Sequence, residues 1–387
     1  MQIGFIDFSK EERNKILATL KLLGTQTALD ELGIGVIRDA YADILFPGIS
    51  TIQTRAKYFV LIPYLFQHVG KQKLSSGRDV HKWLNSAEDK LVETLVKNSD
   101  SEETGIIGKN ALKQKRVVKM KPSSIYWNGL RTFEIVLKAG VSLTAACNIS
   151  YSLYKKNAEL EVKSDGETFD DSTAGGGDTV LFSPISPNYD FEKSATITLT
   201  KKEAEFLSDK ISKAILTKDS LLAFLIKNKL RCNSFDEIPV NILPAQIQHD
   251  YLMARTFSDF IIGAHIRYNV IFSEYKDEEM INEFKQWRNE FVNRQFDLDM
   301  ILDRITCNYE VQKFCRDFLD CTYKNDMQTM DELIVAREKS VKGDRSKLRK
   351  PKEYRYNYDS PVHFYRLDFR FGTAKTIIGD IIKGLEE

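Results

Sequence analysis

Apolar residues recur at helical spacing along most of the chain. Ser9 can cap a first helix over residues 8–24, with Glu11 and Glu12 in its first turn. Its apolar stripe is Ile16, Leu17, Leu20 and Leu23, and Gly24 stops it. Ile37, Tyr41, Ile44 and Leu45 share one face of a second helix over about 29–46, ended by Pro47-Gly48. Ser50 or Thr51 then caps a third, with Ile52, Ala56, Phe59 and Val60 inward. Two helices joined by a short Gly-containing turn have the outline of a helix-turn-helix. Further helices are predicted over 77–98, 244–270, 277–304, 309–323 and 373–385, and a strand over 195–199. In the 277–304 segment Phe284, Trp287, Phe291 and Leu298 lie on one face. The predicted fold class is α+β and mostly helical, with winged-helix or helix-turn-helix modules and small β-hairpin wings.

Composition changes this picture at a few places. Residues 164–178, SDGETFDDSTAGGGD, are dominated by Gly, Asp, Ser and Thr and predict a surface loop. It divides an N-terminal domain, 1–163, from a mostly helical C-terminal domain, 179–387. Phosphate cradling by Gly175, Gly176 and Gly177 is disfavoured, because the loop is acidic and no Lys-Ser/Thr follows. With 387 residues, 42% hydrophobic and 29% charged, the chain is globular. Lys+Arg 56 against Asp+Glu 55 leaves net charge near zero, so any basic surface must be local. No apolar run is long enough for a membrane span and no signal peptide is evident, which predicts a soluble, cytoplasmic chain. Cys147, Cys232, Cys307, Cys315 and Cys321 form no CxxC pair and read as reduced core thiols. His68, His81, His249, His265 and His363 show no metal spacing, and His265 reads as a satisfied structural histidine. No metal and no cofactor is predicted. GxSxG, Walker and dinucleotide-binding motifs are missing, which disfavours common hydrolases, NTPases and dehydrogenases.

The densest polar cluster is 30–58. Glu31, Asp39 and Asp43 are spaced to lie along one helix face, where like charges repel unless a cation such as Arg55 offsets them. Either this is a solvated face, or a carboxylate pair that can serve as a general base. Ser50, Gln53, Thr54, Arg55 and Lys57 fall outside the apolar stripe of the third helix. Gln and Arg read base edges, and Ser, Thr and Lys hold phosphate. Ordinary amphipathic packing is the alternative. Residues 109–121 carry six positive charges and no acid, including Lys113, Lys115, Arg116 and Lys119. They suit a phosphate-neutralising wing, or else a solvated loop. Residues 342–355, with Lys347 and Arg349, carry seven positive and two negative side chains and offer a second backbone clamp. Tyr126, Trp127 and Asn128 can stack on and hydrogen-bond a flipped base, or form core and turn.

The segments GFIDFSKEER, DELGIGVIRDAYADILFPGISTIQTRAKYFVLIPYL, PSSIYWNGL, IIGAHIRYN and RLDFRFGTAKTIIGDII resemble a bacterial family of unknown-function proteins found near phage-defence genes. Ile52-Gln53-Thr54-Arg55-Ala56-Lys57-Tyr58 more distantly resembles the signature of winged-helix DNA glycosylases that remove alkylated or cross-linked bases. In that family an apolar residue precedes Gln-x-Gln or Gln-x-Asp, and the two polar side chains position water and the leaving base. Gln53 matches the first position, whereas Arg55 departs at the second. A literal Gln246-Ile247-Gln248 lies mid-chain after Pro244. The resemblance implies a DNA glycosylase acting on modified bases in double-stranded DNA in anti-phage defence, with Gln53 and Asp39 or Asp43 catalytic. The alternatives are a non-catalytic DNA-binding subunit that recruits a helicase or nuclease within a defence complex, and a protein-interaction subunit with no nucleic-acid role.

Overall fold

The computed structural model describes residues 30–69, 72, 74–100, 102–164, 180–187, 189–350 and 353–387. The helix expected over 8–24 lies outside the described residues, as does the loop expected over 164–178 from residue 165 on. The first helices are α1 (Gly35–Leu45), α2 (Tyr58–Gln67), α3 (Gly77–Asn98), α4 (Lys109–Lys113), α5 (Pro122–Thr132), α6 (Leu143–Ser164), α7 (Phe191–Ser194), α8 (Lys201–Lys213) and α9 (Leu221–Lys227). They are followed by α10 (Ala245–Phe272), α11 (Glu278–Phe291), α12 (Leu298–Asp303), α13 (Tyr309–Lys324), α14 (Met327–Lys342) and α15 (Phe371–Glu386). The chain is therefore mostly helical. Among the described residues β-structure is limited to one antiparallel bridge, Val136 with Phe182.

Local chemistry accounts for the helix starts. Ser76 caps α3 by accepting from Asp79 N, and Thr200 and Glu203 make a reciprocal capping box on α8. Asp277, Asn308 and Asp326 cap α11, α13 and α14 in the same way. Pro122 opens α5, where its missing N–H would be unpaired anyway. The expected helix over 277–304 is two helices, α11 and α12, separated by residues 292–297.

The backbone forms two compact units, each discontinuous in sequence. One holds residues 30–41 with His249–Phe369, and the other holds Ala42–Gln248 with Arg370–Glu387.

In the first unit Phe260 sits among Phe291, Phe296 and Phe318, with ring centroids 5.6, 4.8 and 5.6 Å away. Trp287 stacks on Phe291, so the apolar face predicted for α11 is core. Gly263 lets that ring approach, because a Cβ there would lie 2.1 Å from Trp287. Glu338 is fully buried and accepts from Tyr268 OH, Ser346 Oγ, Lys347 N and Leu348 N, at 2.7, 2.5, 2.9 and 3.0 Å. One carboxylate thus shapes the chain leaving α14.

In the second unit every residue of α2 from Tyr58 to Phe66 is buried. α3 packs on α6, and α8 on α15. Lys57 is also fully buried. It donates to Glu203 at 2.6 Å, and Tyr64 and Tyr189 donate to the same carboxylate at 3.2 and 2.9 Å. Burial pushes the Lys57 ammonium below its usual range despite Glu203.

Candidate nucleic-acid interface

Residues 50–57 are not helical, and α2 begins only at Tyr58. Four of their backbone N–H groups, those of Ser50, Thr54, Arg55 and Ala56, are taken by side chains instead of by helical carbonyls. Ser50 N donates to Gln53 Oε1, and Gln53 Nε2 donates to Gly48 O at 3.0 Å. Gln53 is 4% exposed, and its amide closes the turn after Pro47. Thr54 N and Arg55 N both donate to Tyr126 OH, at 2.7 and 3.0 Å, and Ala56 N donates to Asp380.

This segment is the footing of a surface excursion. Arg55 Nε donates to both oxygens of Asp380, and Arg55 Nη1 donates to Glu103 Oε2 at 2.8 Å and Thr104 O at 3.1 Å. Thr54 Oγ1 donates to Gly105 O, and Ile107 N donates to Tyr58 OH. Gly105 has φ +84°, and a Cβ there would lie 2.7 Å from Arg55 Cγ, so glycine is required. From this footing α4 projects, followed by a turn in which Lys115 has φ +52° and Arg116 N bonds Ala111 O at 2.8 Å. Val118 folds back over Gly108, and Lys121 closes the excursion on Asp89 at 2.5 Å. A cleft of about 620 Å³ lies along it, lined among others by Glu103, Gly105, Lys109, Arg116 and Lys119.

Lys113, Lys115, Arg116 and Lys119 are all exposed, and none has an acidic partner among the described residues. Val117 between them is 82% exposed, and Met120 is 49% exposed. The expected cationic surface therefore sits on a short helix and an irregular return.

Residues 1–384 match one family across both units. The chain belongs to DUF6361, a family of unknown function. Searches of the curated proteins and of the solved structures found no match.

The remaining expected residues of the DUF6361 chain include Asp39 and Asp43, four apart on α1. Asp39, in the first unit, pairs with Arg38 at 3.1 Å. Asp43, in the second, pairs with Arg370 at 2.5 Å, and the same guanidinium donates to Ile49 O. Arg38 and Arg370 thus offset the carboxylates for which Arg55 was expected. Glu31 lies before α1, is buried, and binds Lys342 and Lys347. Lys347 is therefore already neutralised, while Arg349 is exposed. Tyr126 is fully buried between Tyr58 and Phe59, and burial pushes its hydroxyl up to about 12. Trp127 is buried and donates to Val141 O at 2.8 Å. Asn128 is exposed on a different cleft, of about 520 Å³, with Leu137, Ile215 and Leu216.

Two buried titratable groups lie apart from these residues, and Glu88 among them had no sequence signal. Glu88, buried in α3, accepts from Ser123 N and Oγ at 2.6 and 3.1 Å, and burial holds it at about 7. His265 is buried, and neither ring nitrogen has a hydrogen-bond partner among the described residues. No group of three or more His, Cys, Asp or Glu among the described residues is placed to hold a metal. No described helix is long and apolar enough to cross a membrane.

Proposed function

We propose that this chain is a non-catalytic DNA-binding protein that grips the duplex backbone with the excursion at 109–121. One observation carries this: Lys113, Lys115, Arg116 and Lys119 stand exposed and unpaired on a segment whose two ends are fixed. A solvated charge run would need no such footing. Here Thr54, Arg55, Tyr58 and Asp89 all serve to hold it. The phosphates would supply the missing counter-charge, and their released counterions the driving force.

This DNA-holding role involves no bond-breaking step. Gln53 spends its amide within its own turn, and Asp39 and Asp43 each face an arginine. Such a protein would serve as the DNA-holding part of a larger assembly, whose other members supply the chemistry.

Fluorescence anisotropy with a short labelled duplex between about 50 and 200 mM salt tests this. Four phosphate contacts give a log–log slope of about −3.6, and Lys115→Gln with Arg116→Gln brings it to about −1.8. A flat salt dependence, or a slope unaltered in the double variant, refutes the assignment.

A further inference from the structure

We propose that Val117 is an apolar wedge that enters between base steps, so that the excursion favours DNA that unstacks easily. The inference rests on the DNA-binding reading above and names the kind of duplex that the site selects. Val117 is the most exposed large apolar side chain among the described residues, at 82%. Its neighbour Val118 points the other way and packs over Gly108. Arg116 N tied to Ala111 O and Lys121 tied to Asp89 hold the backbone on either side, and Val117 is left exposed along the cleft. An isolated valine held in water gains nothing from its position. Exposed cations at 115, 116 and 119 flank it in sequence. Contact of these cations with phosphates would bring Val117 to the groove floor, where apolar side chains of other DNA-bending proteins part the stack. Parting is cheapest at mismatches and at flexible pyrimidine–purine steps, which supplies a preference without base-edge hydrogen bonds.

The test compares wild type, Val117→Ser and the Lys115→Gln/Arg116→Gln double variant on two short duplexes. One is fully paired, and the other carries a single central mismatch beside 2-aminopurine. Val117 has little packing to lose, so the Ser variant keeps the wild-type melting temperature. Wild type is expected to bind the mismatched duplex about tenfold more tightly, from the gain of burying one valine side chain, with a rise in 2-aminopurine fluorescence. Val117→Ser is expected to bind both duplexes equally with an unchanged salt slope. The double variant should weaken on both alike and keep the preference. Equal wild-type binding without a fluorescence rise, or a preference that survives Val117→Ser, overturns the wedge and leaves the backbone grip standing. Loss of salt-dependent binding to both duplexes in wild type removes the grip and the wedge together. Val117-dependent binding to phosphatidylglycerol vesicles in place of the duplexes also overturns the wedge, in favour of insertion into lipid.

Discussion

Replacing Glu88 by Gln should make the protein more stable at pH 8 and leave it little changed at pH 5. The carboxylate is 1% exposed and sits at the start of α5, where it accepts from Ser123 N and Oγ. Burial raises its pKa to about 7, against the pull of the Ser123 hydrogen bonds and Lys121, while Asp89 adds to the rise. In the unfolded chain the value is near 4.5. A carboxyl raised on folding contributes most below its unfolded value, and that contribution is lost as pH rises through the folded one. Between pH 5 and 8 the loss amounts to about 2.5 kcal/mol. Gln is isosteric, still accepts from Ser123 N, and offers its amide N–H to Ser123 Oγ, but it does not titrate. Urea unfolding followed by circular dichroism at pH 5, 6, 7 and 8 should show the variant gaining on wild type by about 2.5 kcal/mol across that range. A difference that stays constant with pH, or one that favours wild type more strongly at pH 8, would refute the assignment of a protonated, buried Glu88.

His265 gives the opposite sign in the first unit. Burial lowers its pKa to about 4; nearby His363 pushes the same way, and Asp30 and Glu31 resist. Stability should fall by about 3 kcal/mol from pH 7 to pH 4, and His265→Phe should flatten that fall in urea titrations. Asp380→Asn removes the charge that holds Arg55 Nε and Ala56 N, at a cost of about 2–4 kcal/mol. Hydrogen exchange should then quicken at residues 102–119, and unchanged protection there would show that Arg55 does not anchor the excursion. Gly263→Ala drives a methyl into the Trp287 ring and should cost about 2–3 kcal/mol. An unshifted melting temperature would mean that the aromatic cluster yields freely.

The long helices were legible because pattern and cap agree. α3 follows Ser76 and α13 follows Asn308, each with an uninterrupted apolar stripe. Residues 50–57 misled because Ala56, Phe59 and Val60 are buried at helical spacing while Ile52, which completes the stripe, is 47% exposed. What decides their conformation is a tyrosine hydroxyl 72 residues away and a carboxylate 325 residues away. No local pattern carries that information. The charge of 109–121 was visible as composition, but its shape follows from Thr54 and Arg55 gripping its base. Glu31 and Lys347 could not be paired from sequence, being 316 residues apart. Pairs at such separations also turn two expected site residues, Lys347 and Tyr126, into parts of the scaffold.

The two interleaved units have a consequence for how the protein is made. α15 supplies Asp380 to a unit whose Arg55 leaves the ribosome 325 residues earlier. At ordinary elongation rates the arginine waits roughly 15–65 s for its partner. The first unit waits too, since residues 30–41 are followed by the whole of 42–248 before His249 appears. Neither unit can be completed during synthesis of its own first segment. The nascent chain therefore carries unfinished cores until α15 is made, and over that interval chaperone occupancy and synthesis rate decide the yield of folded protein.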